Sequence, residues 1–289
     1  MTDSNIRTMT RGLYDIQKLR IMAGNRVVAN FKAKLGQAPS ESEDELSDDA
    51  KALVAALRAA YRRIADAGAS LTKIAKNGTG DELISDLTEY ALVANYDRLV
   101  SAEEDHFAAL KKIVEQQPIW REFLDGVKGC GPAMGAVLIS EIDISKARYA
   151  SSIWKYAGLD LGPDGRGRTK QKTHLVKRTY KTAKGEIAER DSVTYNPFLK
   201  TKLMGVLAPA FLKANSPYRE HYDRYKHRQE SLPEDVRPKT KLHIHNRSMR
   251  YMVKMFLIDF YVASRTLHGL PVSLTYHEGK LGHVHGRAA

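Results

Sequence analysis

Apolar residues recur at intervals of three and four along most of this chain, and that spacing predicts amphipathic helices. From Arg11 to Leu35 the repeat is Leu13, Ile16, Leu19, Ile21, Val27, Val28, Phe31 and Leu35, with Gly24 as a place to bend and Gly36 as a stop. An acidic linker, residues 37–49, follows; its Ser47 and Asp48 are suited to cap the next helix. That helix covers Ala50 to Ala67, with Leu53, Leu57, Tyr61 and Ile64 on one stripe. Asn77-Gly-Thr-Gly80 breaks the pattern. Leu83 to Val114 resumes it through Leu87, Tyr90, Ala91, Ala94, Leu99, Phe107, Leu110 and Val114, a seam that fits core or coiled-coil packing.

Beyond Gln117-Pro118 the elements shorten. Ile119 to Asp125 reads as a short helix, Ala133 to Ile142 as another, and Ser151 to Gly158 as a third. Residues 161–172 contain too much glycine for a helix and form a flexible basic loop. From Thr173 to Tyr195 the composition turns to Thr, Val and Tyr around Lys184-Gly185, which predicts a β-hairpin with basic residues on one face. Asn196-Pro197 starts a helix through Leu212, Pro217 another through Gln229, and Arg247 to Leu267 is the last long one, its Met, Phe and Tyr residues read as core. The expected fold is mainly α: a helical bundle or coiled-coil N-terminal region over 1–115, then a helical region over 116–289. The latter carries a helix-hairpin-helix at 123–145 and a β-hairpin insertion at 165–196.

The stretch Gly126 to Val137 holds the densest turn chemistry. Gly129 and Gly131 free the backbone, and Pro132 is already set for the first position of a helix. Amides gathered at a helix N-terminus attract phosphate, and Lys128 stands beside them. This is the form of a helix-hairpin-helix backbone clamp, although the same residues also make an ordinary interhelical turn.

Charge favours the clamp. The 289-residue chain carries a net +12, and residues 146–289 hold 28 Lys and Arg against 12 Asp and Glu, leaving 18 against 22 in the first 145. Large one-signed fields oppose compactness and commonly serve a polyanion. The cations sit among Gly, Thr and Tyr in loops and not on one face of an amphipathic helix, which favours nucleic acid over a membrane. Candidate phosphate contacts are Lys128, Gly129, Cys130 and Gly131 in the turn, and Arg166, Arg168, Lys170 and Lys172 in the loop. Tyr218, Tyr222 and Tyr225, interleaved with Arg219, Arg224, Lys226 and Arg228, suit phosphate contact with some stacking.

Candidate catalysts are thinner. Cys130 lacks a base beside it in sequence and excludes an internal disulfide framework, which fits a reducing cytoplasm. No secretory leader and no apolar run of membrane-spanning length are read. Glu141 and Asp143 form a carboxylate pair that also reads as a helix end and turn, and Ser151 or Ser152 is sufficiently explained as a cap. His243, His245, His277, His283 and His285 include two His-x-His pairs, but no cysteine joins them and the spacing matches no standard zinc site. No metal or cofactor is assigned, and Mg²⁺ enters only if the chain cuts DNA.

Phe123-Leu-Asp-Gly-Val-Lys-Gly-Cys-Gly-Pro132, Ala136 to Ser145 and Tyr156-Ala-Gly-Leu159 together resemble the C-terminal domain of insertion-sequence transposases of the IS110/IS116/IS902 family. A looser similarity continues in Asn196-Pro-Phe-Leu-Lys200 and Tyr222-Asp-Arg-Tyr-Lys226, so that it spans roughly residues 115–265. The resemblance implies a helical DNA-binding domain acting in transposition or recombination. It also implies an N-terminal nuclease-like domain with a metal-binding carboxylate quartet, and a serine nucleophile in a segment after the Tyr-Ala-Gly-Leu motif. Neither can be placed: the N-terminal half reads as helices, and Gly162-Pro-Asp-Gly-Arg-Gly167 contains no serine. The reading is therefore a cytoplasmic DNA-binding protein of transposase type from a mobile element, with a homodimer through the N-terminal helices as a further expectation. An active transposase or recombinase is the first alternative; an RNA-binding or structural nucleic-acid protein is the second.

Overall fold

The computed structural model describes residues 4–36, 47–238 and 240–273. It is mainly helical, with one two-stranded antiparallel hairpin, as the sequence predicts. Most of the acidic linker, 37–46, lies outside the described residues. Contacts divide the chain into two units, residues 8–109, and residues 1–7 with 110–289.

The first unit holds most of α1 (Ser4–Lys34), all of α2 (Asp48–Asp66) and α3 (Leu71–Asn77), and most of α4 (Leu87–Glu115). Val27, Val28 and Phe31 of α1 are buried with Val54, Leu57 and Ile64 of α2, Ile74 of α3 and Val93 and Tyr96 of α4. Ser47 caps α2 by accepting from the Ala50 N–H at 3.2 Å. α3 is a short helix that periodicity did not predict, since seven residues offer two turns and one buried side chain, Ile74. α4 begins four residues later than Leu83 because Asp86 accepts from the Thr88 and Glu89 amides at 2.7 and 2.9 Å and so caps the helix there. Residues 81–85 instead form a tight turn in which Asp81 accepts from the Leu83 and Ile84 amides.

The second unit is organised on its last helix. Before that helix come α5 (Pro118–Glu122), a 3-10 turn (Leu124–Gly126), α6 (Pro132–Glu141), a 3-10 turn (Ile144–Lys146) and α7 (Ala150–Tyr156). The hairpin follows, β1 (Val176–Lys181) and β2 (Ile187–Ser192), then α8 (Pro197–Lys202), α9 (Ala208–Lys213) and α10 (Arg219–Glu230). The final helix, α11 (Lys241–Leu267), starts six residues ahead of Arg247 because Thr240 caps it, accepting from the His243 N–H at 3.1 Å. Met252, Val253, Phe256, Leu257, Phe260 and Tyr261 of α11 are buried. The Phe256 ring contacts Phe123, Phe211 and Tyr218 at centroid distances of 6.1, 5.3 and 5.4 Å. At its far end Arg265, buried, donates to the carbonyls of Ile144 and Ala147 at 3.2 and 2.8 Å and closes the 3-10 turn between α6 and α7.

Between α8 and α9 the backbone widens into a π-helical turn, Leu203–Leu207, where the Ala208 N–H reaches Leu203 O. Pro209 lies immediately beyond. Proline brings no amide and crowds the carbonyl four residues back, and a single π turn is one way for a helix to continue past that defect.

Candidate nucleic-acid interface

The turn before α6 has the backbone the glycines predicted. Gly129 adopts φ +92°, and Gly131 is the N-cap of α6 with Pro132 behind it. Gly129 is also pressed against α9: a Cβ there would stand 3.0 Å from both the Ala210 carbonyl and the Phe211 ring. Gly131 O accepts from the Met134 and Gly135 amides at 2.9 Å, which starts the helix. The Cys130 N–H donates to Val127 O at 2.9 Å, so that amide is used inside the turn. Its side chain is buried, and burial pushes the thiol up to about 12, which makes it an inert packing group. Lys128 is exposed beside the turn.

The basic loop is more ordered than its glycine content suggests. His174 is buried at its base; its Nδ1 accepts from the Thr169 N–H at 3.0 Å, which leaves Nε2 to carry the proton facing Asp164 Oδ1 at 2.9 Å. Gly162 packs against that ring, where a Cβ would collide with Nε2. Arg168 is built into the protein: its Nε faces both Asp160 oxygens at 2.9 and 2.8 Å, and Nη1 donates to Thr194 Oγ1 at 3.2 Å. Arg166, Lys170 and Lys172 are exposed. The loop therefore presents three of its four cations outward and uses the fourth as a brace.

The hairpin is exposed on both faces, apart from partial cover at Ala188 near the turn and Ser192 at the base. Its register sets Arg178 directly opposite Arg190 and Tyr180 opposite Ala188 on one face, with Arg190 lying over the Tyr180 ring at 5.2 Å. The other face is mixed: Lys177 pairs with Asp191 at 3.4 Å, beside Thr179 opposite Glu189. Like charges directly opposite destabilise a ribbon, and an isolated two-stranded ribbon is marginal already.

The candidate catalytic groups are occupied. Glu141 is buried at the end of α6, where Arg7 lies 3.4 Å away and Asn196 donates to it at 2.6 Å. Asp143 caps the following 3-10 turn, and hydrogen bonding from Ser145 holds its carboxyl below the usual range. Ser152 Oγ accepts from the Tyr149 amide at the start of α7, and Ser151 is exposed on the same turn. Glu141, Asp143 and Ser152 do line one cleft of about 270 Å³, with Arg7, Lys146 and Tyr156. Among the described residues no group of three or more His, Cys, Asp or Glu is placed to hold a metal ion.

The tyrosines at and within α10 are divided between core and surface. Tyr218 donates to Asp259 at 2.8 Å, and the Tyr222 hydroxyl lies 2.7 Å from His245 Nδ1. Only Tyr225 turns toward the basic loop, stacked on Tyr251. Arg219, Arg224 and Lys226 lie within salt-bridge distance of Asp223, Glu220 and Glu230 on their own helix. His243 lies in the first turn of α11, while His277, His283 and His285 lie outside the described residues. One cationic feature went unread in the sequence: His243, Arg247, Arg250 and Lys254 fall at i, i+4, i+7 and i+11, a single stripe of α11 facing the loop. The spacing is visible in the sequence, but the Met and Phe residues of the opposite stripe mark this helix as core.

Residues 121–199 match the model of the Transposase IS116/IS110/IS902 family. No curated protein matches the chain. The matched segment runs from the end of α5 through the hairpin to α8, and it supports a role in transposition. Among the described residues no helix is long and apolar enough to cross a membrane.

Proposed function

We propose that this chain is a DNA-binding protein of transposase type, which grips the phosphate backbone during transposition or recombination of a mobile element. The observation that carries the reading is that the transposase-matched segment, 121–199, itself holds the α6 turn, the exposed cations of the loop and the two-faced hairpin. Lys128 and the amides around Gly131 act as the helix-hairpin-helix clamp; Arg166, Lys170 and Lys172 continue the contact along the strand. A twisted two-stranded ribbon has the width to enter a major groove, and Arg178 and Arg190 are its cationic face. The reading includes a cytoplasmic location and a homodimer through the N-terminal helices, which sedimentation at several concentrations tests.

The test is the Lys128→Ala, Arg166→Ala double variant. Its affinity should fall on all duplex sequences alike, and the slope of log affinity against log salt should shrink by up to about 1.8, two lost phosphate contacts at about 0.9 each. Unchanged affinity and slope would overturn the clamp. Competition with structured RNA separates the RNA-binding alternative. Incubation with supercoiled DNA, with and without Mg²⁺, tests the active-transposase alternative, for which the Ser152, Glu141 and Asp143 cleft is the place to look.

A further inference from the structure

The α11 stripe forms one wall of a cleft of about 300 Å³, closed by Arg166 and Gly167 of the basic loop and by Tyr225 of α10. Among the described residues its cations have few compensating groups. Arg250 Nε is buried with no hydrogen-bond partner among the described residues, and the guanidinium lies so close over Gly167 that a Cβ there would meet Nη1 at 2.2 Å. The Lys254 ammonium stands 5.0 Å from the centre of the Trp154 ring. Arg247 donates to the Gln229 side-chain carbonyl at 3.2 Å. Asp160 is the carboxylate that Arg250 and Lys254 feel, and both its oxygens are already held by Arg168. Burial first, and the neighbouring positive charges second, pull Arg250, Lys254 and His243 below their ordinary values.

Converging cations in a partly desolvated cleft repel one another and are costly to maintain unless an anion joins them. Arginine pairs match phosphate oxygens in shape as well as charge. The cleft is also bounded by an aromatic wall, Tyr225 and Tyr251 stacked at 4.6 Å with 20° between their planes. Its volume suits one nucleotide and excludes a duplex. We propose that this cleft binds a phosphate monoester carried on a nucleotide, Arg247, Arg250 and Lys254 holding the phosphate and the Tyr225–Tyr251 wall flanking the nucleoside. The choice of a phosphorylated strand end as one carrier rests on the nucleic-acid reading; a free nucleotide presents the same chemistry.

The experiment uses the full chain and a short 3′-labelled single strand bearing either a 5′-phosphate or a 5′-hydroxyl, with a nucleoside 5′-monophosphate and inorganic phosphate as competitors. Two variants are compared, Arg250→Met and Gly167→Ala. The second keeps every charge and pushes the guanidinium aside, and circular dichroism checks the fold of both. The phosphorylated strand should bind at least about tenfold more tightly than its hydroxyl counterpart, the worth of a good charge-assisted phosphate contact, and both variants should erase the difference. If oligonucleotides do not bind but the monophosphate does, and Gly167→Ala abolishes it, the cleft stands with a free nucleotide as occupant and the DNA reading falls. If neither a 5′-phosphate preference nor monophosphate binding is seen, the cleft assignment is overturned even where duplex binding persists.

Discussion

The Asn196 side chain donates to the buried Glu141 carboxylate at 2.6 Å while its own oxygen accepts from the Leu199 amide at 3.1 Å. One side chain thus stabilises a buried charge by hydrogen bonding and starts α8. It ties the end of α6 to the start of α8 within the transposase-matched segment.

Asn196→Ala should therefore cost more than a lost cap. A cap is worth about 1 kcal/mol, and a hydrogen bond to a charged group about 1.5–3. We expect a loss of roughly 2–4 kcal/mol in urea unfolding. A loss below about 1 kcal/mol would mean that the other partners of Glu141, Arg7 among them, already satisfy it.

Gly129→Ala meets two obstacles together, a left-handed φ of +92° and contact with the Ala210 carbonyl at 3.0 Å. Strain of this kind costs of order 1–3 kcal/mol. Gly126→Ala, three residues earlier and facing open space, is the control and should shift stability by less than about 1 kcal/mol. Equal effects at the two positions would remove the close approach from the account.

Arg178→Glu should move stability and binding in opposite directions. It replaces a like-charged cross-strand pair with an opposite-charged one, a gain of roughly 0.2–1 kcal/mol. The same change removes a cation from the ribbon and should weaken duplex binding. A variant that is more stable and binds as well as wild type would take the hairpin out of the interface.

Lys200 gives a pH signature. Burial, with Arg250 nearby, pulls it from 10.5 down to about 8, so the folded state releases its proton before the unfolded state does. Between pH 8 and 10.5 the unfolded chain binds more protons from this group, and its contribution to stability rises with pH. The difference in unfolding midpoint between wild type and Lys200→Met should accordingly drift in favour of wild type as pH is raised from 7 to 10. A flat difference would place the Lys200 ammonium in solvent.

Much of the fold was legible. Long helices follow from uninterrupted three-four spacing, and the hairpin from the Thr, Val and Tyr run around Lys184-Gly185. What periodicity missed is local. α3 is too short to show a pattern, α4 was cropped by the Asp86 cap, and the π turn before Pro209 leaves no mark in hydrophobic spacing. At the candidate interface, sequence identified the cations but could not tell outward from inward. Arg168 resembles Arg166 and Lys170 in composition, yet Asp160, eight residues away, claims it. The cleft required α11 to be seen against the loop, since its stripe is separated from Arg166 by about eighty residues of chain.

The aromatic contact between Phe123 and Phe256 bears on how this protein can be cut. Phe123 lies inside the transposase-matched segment and Phe256 far beyond it; Gly129 against Ala210, and Arg265 against the carbonyls of Ile144 and Ala147, repeat the relationship. Excising residues 121–199 would strip that segment of the opposing half of its interior. Its smallest self-supporting fragment must extend through α11, so any exchange of this module between proteins has to carry the last helix along.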